Sequence, residues 1–169
     1  GGSSWQTIGN VSANATIGST VSVLPSCGDP SVIDEEGFVD VCLANLDAVL
    51  VSVTFEDLVG AEANLCMVGD ELMQFRDAEP LGIAWYRLSG LVRGRRGTEW
   101  ATGSHAEMES FVLLSAGNVN PVSVDVGDRN RSVHYAAAGS ASSESFVLGS
   151  LPLALRSQMP LAGVRPLAE

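Results

Sequence analysis

Three arginines within four positions, a tryptophan and one of only two histidines fall in the stretch LVRGRRGTEWATGSHA, Leu91 to Ala106. Such a cluster is compatible with several chemistries, and each needs companions that can be sought in the same chain. Glycines and positive charge at Gly94-Arg95-Arg96-Gly97 would suit a phosphate, but a nucleotide loop ends in Gly-Lys-Ser/Thr and opens a helix after a strand. Neither feature is present. Arginines beside Trp100 would suit nucleic acid, yet Glu99, Glu107 and Glu109 stand in the same stretch. His105-Ala106-Glu107 has the His-x-Glu form of a zinc deaminase, but that site takes two cysteines from a downstream Pro-Cys-x-x-Cys. Here all three cysteines (Cys27, Cys42, Cys66) lie upstream, and the other histidine is the remote His134. A Cys27–His134 nucleophilic pair has no local support, and Gly-x-Ser-x-Gly does not occur. The carboxylates of Asp34-Glu35-Glu36 and of Glu107 with Glu109 offer acid pairs for glycoside cleavage, although such runs are usually solvated faces.

A structural reading of the loop needs no missing partner. Arginine forks bond backbone carbonyls and pair bidentately with carboxylates, so they can hold a long connection that lacks ladder bonds. On this reading Arg93, Arg95 and Arg96 pin the loop, with Glu99 and Glu107 as partners, and Trp100 is an apolar plug. Gly94, Gly97 and Gly103 let the chain turn, and His105 closes the stretch. The same residues would also suit a subunit interface, where Arg and Trp are favoured. No catalytic, cofactor-binding or metal-binding residues are assigned.

Composition sets the frame for that loop. The 169 residues carry a net charge of −11, contain no lysine and are 46% apolar. A chain so acidic repels nucleic acid and anionic lipid unless its arginines are focused in one place, so specific nucleic-acid binding is not expected. The cysteines lack Cys-x-x-Cys spacing and read as small buried hydrophobes. No apolar stretch reaches the length of a membrane span, and no signal peptide is recognisable. The chain lacks an initiator Met and opens Gly-Gly-Ser-Ser, which suggests a tag remnant before a piece of a longer protein.

The elements that would position the loop are short strands broken by turns. Val21 to Leu24, Phe38 to Leu43, the apolar run Ala48 to Phe55, Asn64 to Val68, Glu71 to Arg76, Ile83 to Gly90 and Glu109 to Leu114 all have strand character. Gly69-Asp70 reads as a two-residue hairpin turn. On Ile83 to Gly90, Tyr86 and Leu88 share one face while Trp85 and Arg87 share the other. Glu56 to Ala63 allows one helical turn. Weaker strands are expected at Val122 to Val126, Ser132 to Ala137 and Ser145 to Leu148. The predicted fold is all-β, a sandwich or partly open barrel of about eight to ten short antiparallel strands with at most one short helix. Residues 1–20 read as a linker or edge strand, 21–150 as the β domain, and 151–169 as an exit linker or the start of a further domain.

Asn64 to Leu114 also resembles a segment of the large host-specificity, or "megatron", tail-tip proteins of gene transfer agents and related siphophages. That family shows GDELIQF, then an aromatic-Arg-Leu-Ser/Thr-Gly-Leu strand, then LRGRRGTEWA followed by Gly-His and FVLL. Gly69 to Phe75, Tyr86 to Leu91, Gly94 to Ala101, Gly103, His105 and Phe111 to Leu114 match in that order. More weakly, residues 131 to 137 resemble a later strand, and ALRSQMPLAGVRPLAE resembles an exit segment with Ser157 in place of proline. The resemblance implies an internal β domain of a tail hub whose neighbours include a TIM-barrel-like domain similar to glycoside hydrolases. It implies a homotrimer around the tail axis, contacts with other tail proteins, and a part in envelope attachment or DNA passage. The expected location is the virion or phage-like tail tip, reached from the bacterial cytoplasm. It carries over no catalytic residue, so a non-enzymatic structural module is expected. The alternative is a module that binds host surface glycan, with Trp85, Tyr86 and Trp100 as stacking platforms.

Overall fold

The computed structural model of the chain describes residues 5–11, 13–115, 117–120, 122–128, 130–137 and 146–153. Among them the fold is all-β with one short helix. The strands are β1 (Thr16–Thr20), β2 (Asp34–Leu43), β3 (Leu65–Val68), β4 (Glu71–Gly82), β5 (Trp85–Val92), β6 (Ser110–Leu113), β7 (Ser132–Ala137) and β8 (Phe146–Pro152). The helix α1 spans Phe55–Gly60. Six strands form a closed antiparallel barrel in the order β1-β2-β5-β4-β3-β6, with β6 pairing back to β1. The sequence left open a sandwich or a partly open barrel. Closure removes both free edges, which would otherwise offer unpaired N–H and C=O groups.

Alternation along the strands builds the core. Val39, Val41 and Leu43 of β2, Met73 and Phe75 of β4, Leu88 and Leu91 of β5, and Phe111 of β6 point inward, all at 3% exposure or less. Tyr86 and Leu88 are buried while Trp85 and Arg87 face out, as the period of two predicts. The Gly69-Asp70 turn sets Val68 opposite Glu71, and Gly69 takes a φ of +55°. By contrast Cys42 falls on an outward position of β2 and is exposed, so it is not the buried hydrophobe expected. Cys66 is buried and Cys27 half-buried.

Three segments differ from the sequence expectation. Val21 to Leu24 forms no strand. The strand is instead Thr16–Thr20, within the stretch read as linker or edge strand, and its small polar residues gave no apolar alternation. Gly18 lets β1 close the ring, because a Cβ there would lie 2.3 Å from the Cys42 carbonyl oxygen. The run Ala48 to Phe55 is irregular rather than a central strand. It buries Leu50 in the core and lies along β4 through Val53 N–H to Arg76 C=O at 2.8 Å and Ala78 N–H to Ser52 Oγ at 3.0 Å. Thr54 then caps α1 through Asp57 N–H, and Leu58 is fully buried. Val122 to Val126 forms no strand; a 3-10 turn covers Val126–Asp128.

Strands β7 and β8 pair with each other in a separate two-stranded sheet. The 138–144 run and the exit segment 154–169 lie outside the described residues.

One consequence of the ring order governs the loop. In the order β1-β2-β5-β4-β3-β6, strands β5 and β6 stand opposite each other. The chain from Arg93 to Glu109, which joins them, therefore has to cross one mouth of the barrel.

Candidate functional site

At that mouth β4 begins with Glu71, β5 ends before Arg93, and β2 begins with Asp34. Glu71 shares the inward face with Met73 and Phe75, so a carboxylate stands where the pattern would place an apolar group. Its side chain and that of Arg93 are both 0% exposed. Arg93 Nε and Nη2 donate to the two Glu71 oxygens at 2.9 and 2.8 Å. Nη1 donates to the Pro25 carbonyl at 2.9 Å and to Asp34 Oδ2 at 3.5 Å, and Nη2 also reaches the Thr102 carbonyl at 3.3 Å. A guanidinium has five N–H donors, and these contacts engage all five.

The carboxylate is equally saturated. Glu71 Oε1 accepts a further bond from Gly94 N–H at 2.7 Å, and Oε2 lies 2.7 Å from His105 Nε2. His105 Nδ1 lies 2.7 Å from Glu109 Oε2. Ionised carboxylates only accept, so an imidazole held between two of them carries a proton on each nitrogen. The bond to Glu71 raises the His105 pKa above its ordinary value; burial opposes this and Glu109 reinforces it. For Glu71, burial alone would raise the pKa, but the bonds from His105, Arg93 and Gly94 N–H outweigh it and hold the carboxyl below its usual range. No buried side-chain nitrogen or oxygen among the described residues lacks a partner.

Two local distortions make the cluster possible. Between Asp34 and Phe38 the β2–β5 register shifts, and Gly37 N–H donates to Asp34 Oδ1 at 2.7 Å. A Cβ on Gly37 would fall 2.2 Å from Asp34 Oδ2, so a larger residue there would push the Asp34 carboxylate off its bonds. At the end of β5, Gly94 turns with a φ of +60°, and a Cβ there would sit 2.9 Å from Glu99 Cα. Gly97 also has a positive φ, of +85°. Gly103 has neither a positive φ nor a close neighbour, so the turn does not require it, contrary to the sequence expectation.

The three arginines separate. Arg93 enters the barrel mouth, whereas Arg95 and Arg96 face outward to Glu62, at 3.9 Å for Arg95 and by a short hydrogen bond for Arg96. The expected partners Glu99 and Glu107 take neither role; the carboxylates that pair with the loop arginines come from β2, β4 and the turn after α1. Trp100 is not the plug, being 54% exposed, while Ala101 is 2% exposed and Arg93 itself fills the mouth.

The proposed glycan trio is not assembled either. Trp85 is 44% exposed on the outer face, Tyr86 is buried on the inner face, and Trp100 lies beyond the far end of the same strand. The two tryptophans thus belong to different elements, Trp85 to the first position of β5 and Trp100 to a 3-10 turn in the loop that follows it. Sequence reasoning missed Glu71, Asp34, Glu109 and Glu62 as partners of the loop. The available signal was Glu71 itself, in phase with Met73 and Phe75.

Residues 15–112 match the family described as "Rcc01698-like, C-terminal". The chain belongs to this family. The matched span covers β1 to all but the last residue of β6 and includes every residue of the Glu71–Arg93–His105 cluster. Strands β7 and β8 lie outside the matched span. No curated protein matches the chain. Among the described residues no helix is long and apolar enough to cross a membrane.

Proposed function

We propose that the chain is a non-enzymatic structural module of a phage-like tail-tip or baseplate hub protein, contributing to tail assembly and host-envelope attachment. The observation that carries this reading is the state of the arginine loop. Among the described residues its most chemically capable groups, Arg93, Glu71 and His105, bond only to one another, to Asp34 and Glu109, and to backbone. A general acid or base needs a proton path to substrate, and an anion site needs donors left free. This cluster holds its donors and acceptors within the fold and is suited to fixing a barrel mouth.

The resemblance of Asn64 to Leu114 to tail-tip proteins supplies the setting, and membership in the Rcc01698-like C-terminal family agrees with it. In that setting the chain sits at the tail tip with other tail proteins, as one of three copies around the tail axis. The test is to tag the full chain in its producing cell and fractionate released particles. The tag is expected to co-sediment with particles and to be labelled at one end of the tail. Recovery only as free protein, or release of soluble sugars from envelope polysaccharide by the purified chain, would overturn the proposal.

A further inference from the structure

Between Thr102 and Glu109 the loop is a strap that lies on the surface, pinned at its middle by the His105 side chain and at its far end by Thr20. Gly103, Ser104, Ala106, Glu107 and Met108 are exposed, but the His105 side chain is only 2% exposed. Beyond that pin the strap bonds to the barrel through Thr20: Met108 N–H donates to its carbonyl at 3.1 Å, Glu109 N–H to its hydroxyl at 3.0 Å, its own N–H to the Glu109 carbonyl at 2.9 Å, and its hydroxyl makes a weak contact to the Ala106 carbonyl at 3.4 Å. Met108 takes a φ of +63°, so the strap leaves its anchor through a strained residue.

We infer that the strap is a pH-operated latch: doubly protonated His105 clasps Glu71 and Glu109, and its deprotonation frees the Gly103–Met108 segment while the barrel stays folded. The charged groups around His105 fix how it opens. From β4 comes Glu71, from just after β5 Arg93 behind it, from β2 Asp34 on Arg93, and from just before β6 Glu109; the Cys66 thiol nearby is held neutral by burial. A neutral imidazole donates from one nitrogen only, so one carboxylate then faces a lone pair at 2.7 Å. Glu71 retains three other donors, two from Arg93 and one from Gly94, and does not move. Glu109 has His105 as its side-chain partner and is 21% exposed, so it swings to solvent and the strap follows.

The sign follows from linkage. The folded pKa of His105 lies above its ordinary value of 6.5, so the clasp is fully present below that pH and is lost as pH rises through the folded value. Between the two values the opening constant of the strap rises about tenfold per pH unit.

The test is hydrogen exchange on the full chain from pH 6 to 9, expressed as protection factors, with the His105 ring followed by NMR. Protection of the 103–108 amides is expected to fall as His105 titrates, while β2, β4 and β5 stay protected. Glu109→Gln should move the transition to lower pH, and His105→Gln should leave the strap open and its protection flat across the range. A His105 ring that titrates at or below its value in the denatured chain would overturn the latch. So would strap protection that is unchanged over the range, or that is lost together with the barrel. Should His105→Gln fail to fold, the wild-type profile and Glu109→Gln decide the matter alone.

Discussion

At the scale of single residues, position rather than charge decides what each arginine does. Arg93 and Arg96 are three apart and chemically identical, yet one is sealed in the barrel mouth and the other is 49% exposed. An exposed ion pair gains little, because water screens it and two long side chains lose freedom; such pairs contribute about 0–1 kcal/mol. Arg96→Ala is therefore expected to cost less than about 1 kcal/mol in chemical denaturation. A larger loss would mean that the pair with Glu62 matters more than its exposure allows. The sequence marked this stretch as special but could not rank its members. Arginine with nearby Glu99 and Glu107 suggests local pairing, whereas the true partners are 22 and 59 residues away along the chain. Glu71 was legible in principle, since it alternates with Met73 and Phe75, and an acid on an inward face requires a buried cation.

At the scale of elements, strands with clear alternation were legible. The β3–β4 hairpin and the two faces of β5 stand as their sequence predicts. The failures share a cause, which is that tertiary packing overrides local pattern. Ala48 to Phe55 has the composition of a central strand, yet the ring is already closed and the segment serves as a cover along β4. Conversely β1, with the sequence TIGST, has little intrinsic strand signal and forms because both its edges are paired. Its weak point is Gly18, which touches the backbone of β2. Gly18→Ala should open the β1–β2 contact and cost about 1–3 kcal/mol, with loss of amide protection concentrated in β1 and β6. Unchanged protection in those two strands would show that the approach of β1 to Cys42 is not needed for closure.

At the scale of the whole molecule, the Glu71–Arg93–His105 cluster is what ties the mouth together. It joins β2 through Asp34, β4 through Glu71, the strand preceding the loop through Arg93, the 25–27 turn through Pro25, and the approach to β6 through His105 and Glu109. Burying so many charges is costly, and the arrangement is stable only because each donor and acceptor finds a partner. Removing one member leaves an uncompensated charge in a closed space, at a cost of about 3–5 kcal/mol. That cost separates a structural lock from a binding loop, which tolerates loss of a side chain with little change in stability. The most direct measurement is urea denaturation of the wild-type chain and Arg93→Met at pH 6. Arg93→Met is expected to lose about 3–5 kcal/mol, because the Glu71 carboxylate stays buried in the folded barrel without its arginine. A change within about 0.5 kcal/mol of wild type would contradict it, because a barrel mouth held by this ion pair cannot lose its cation without consequence.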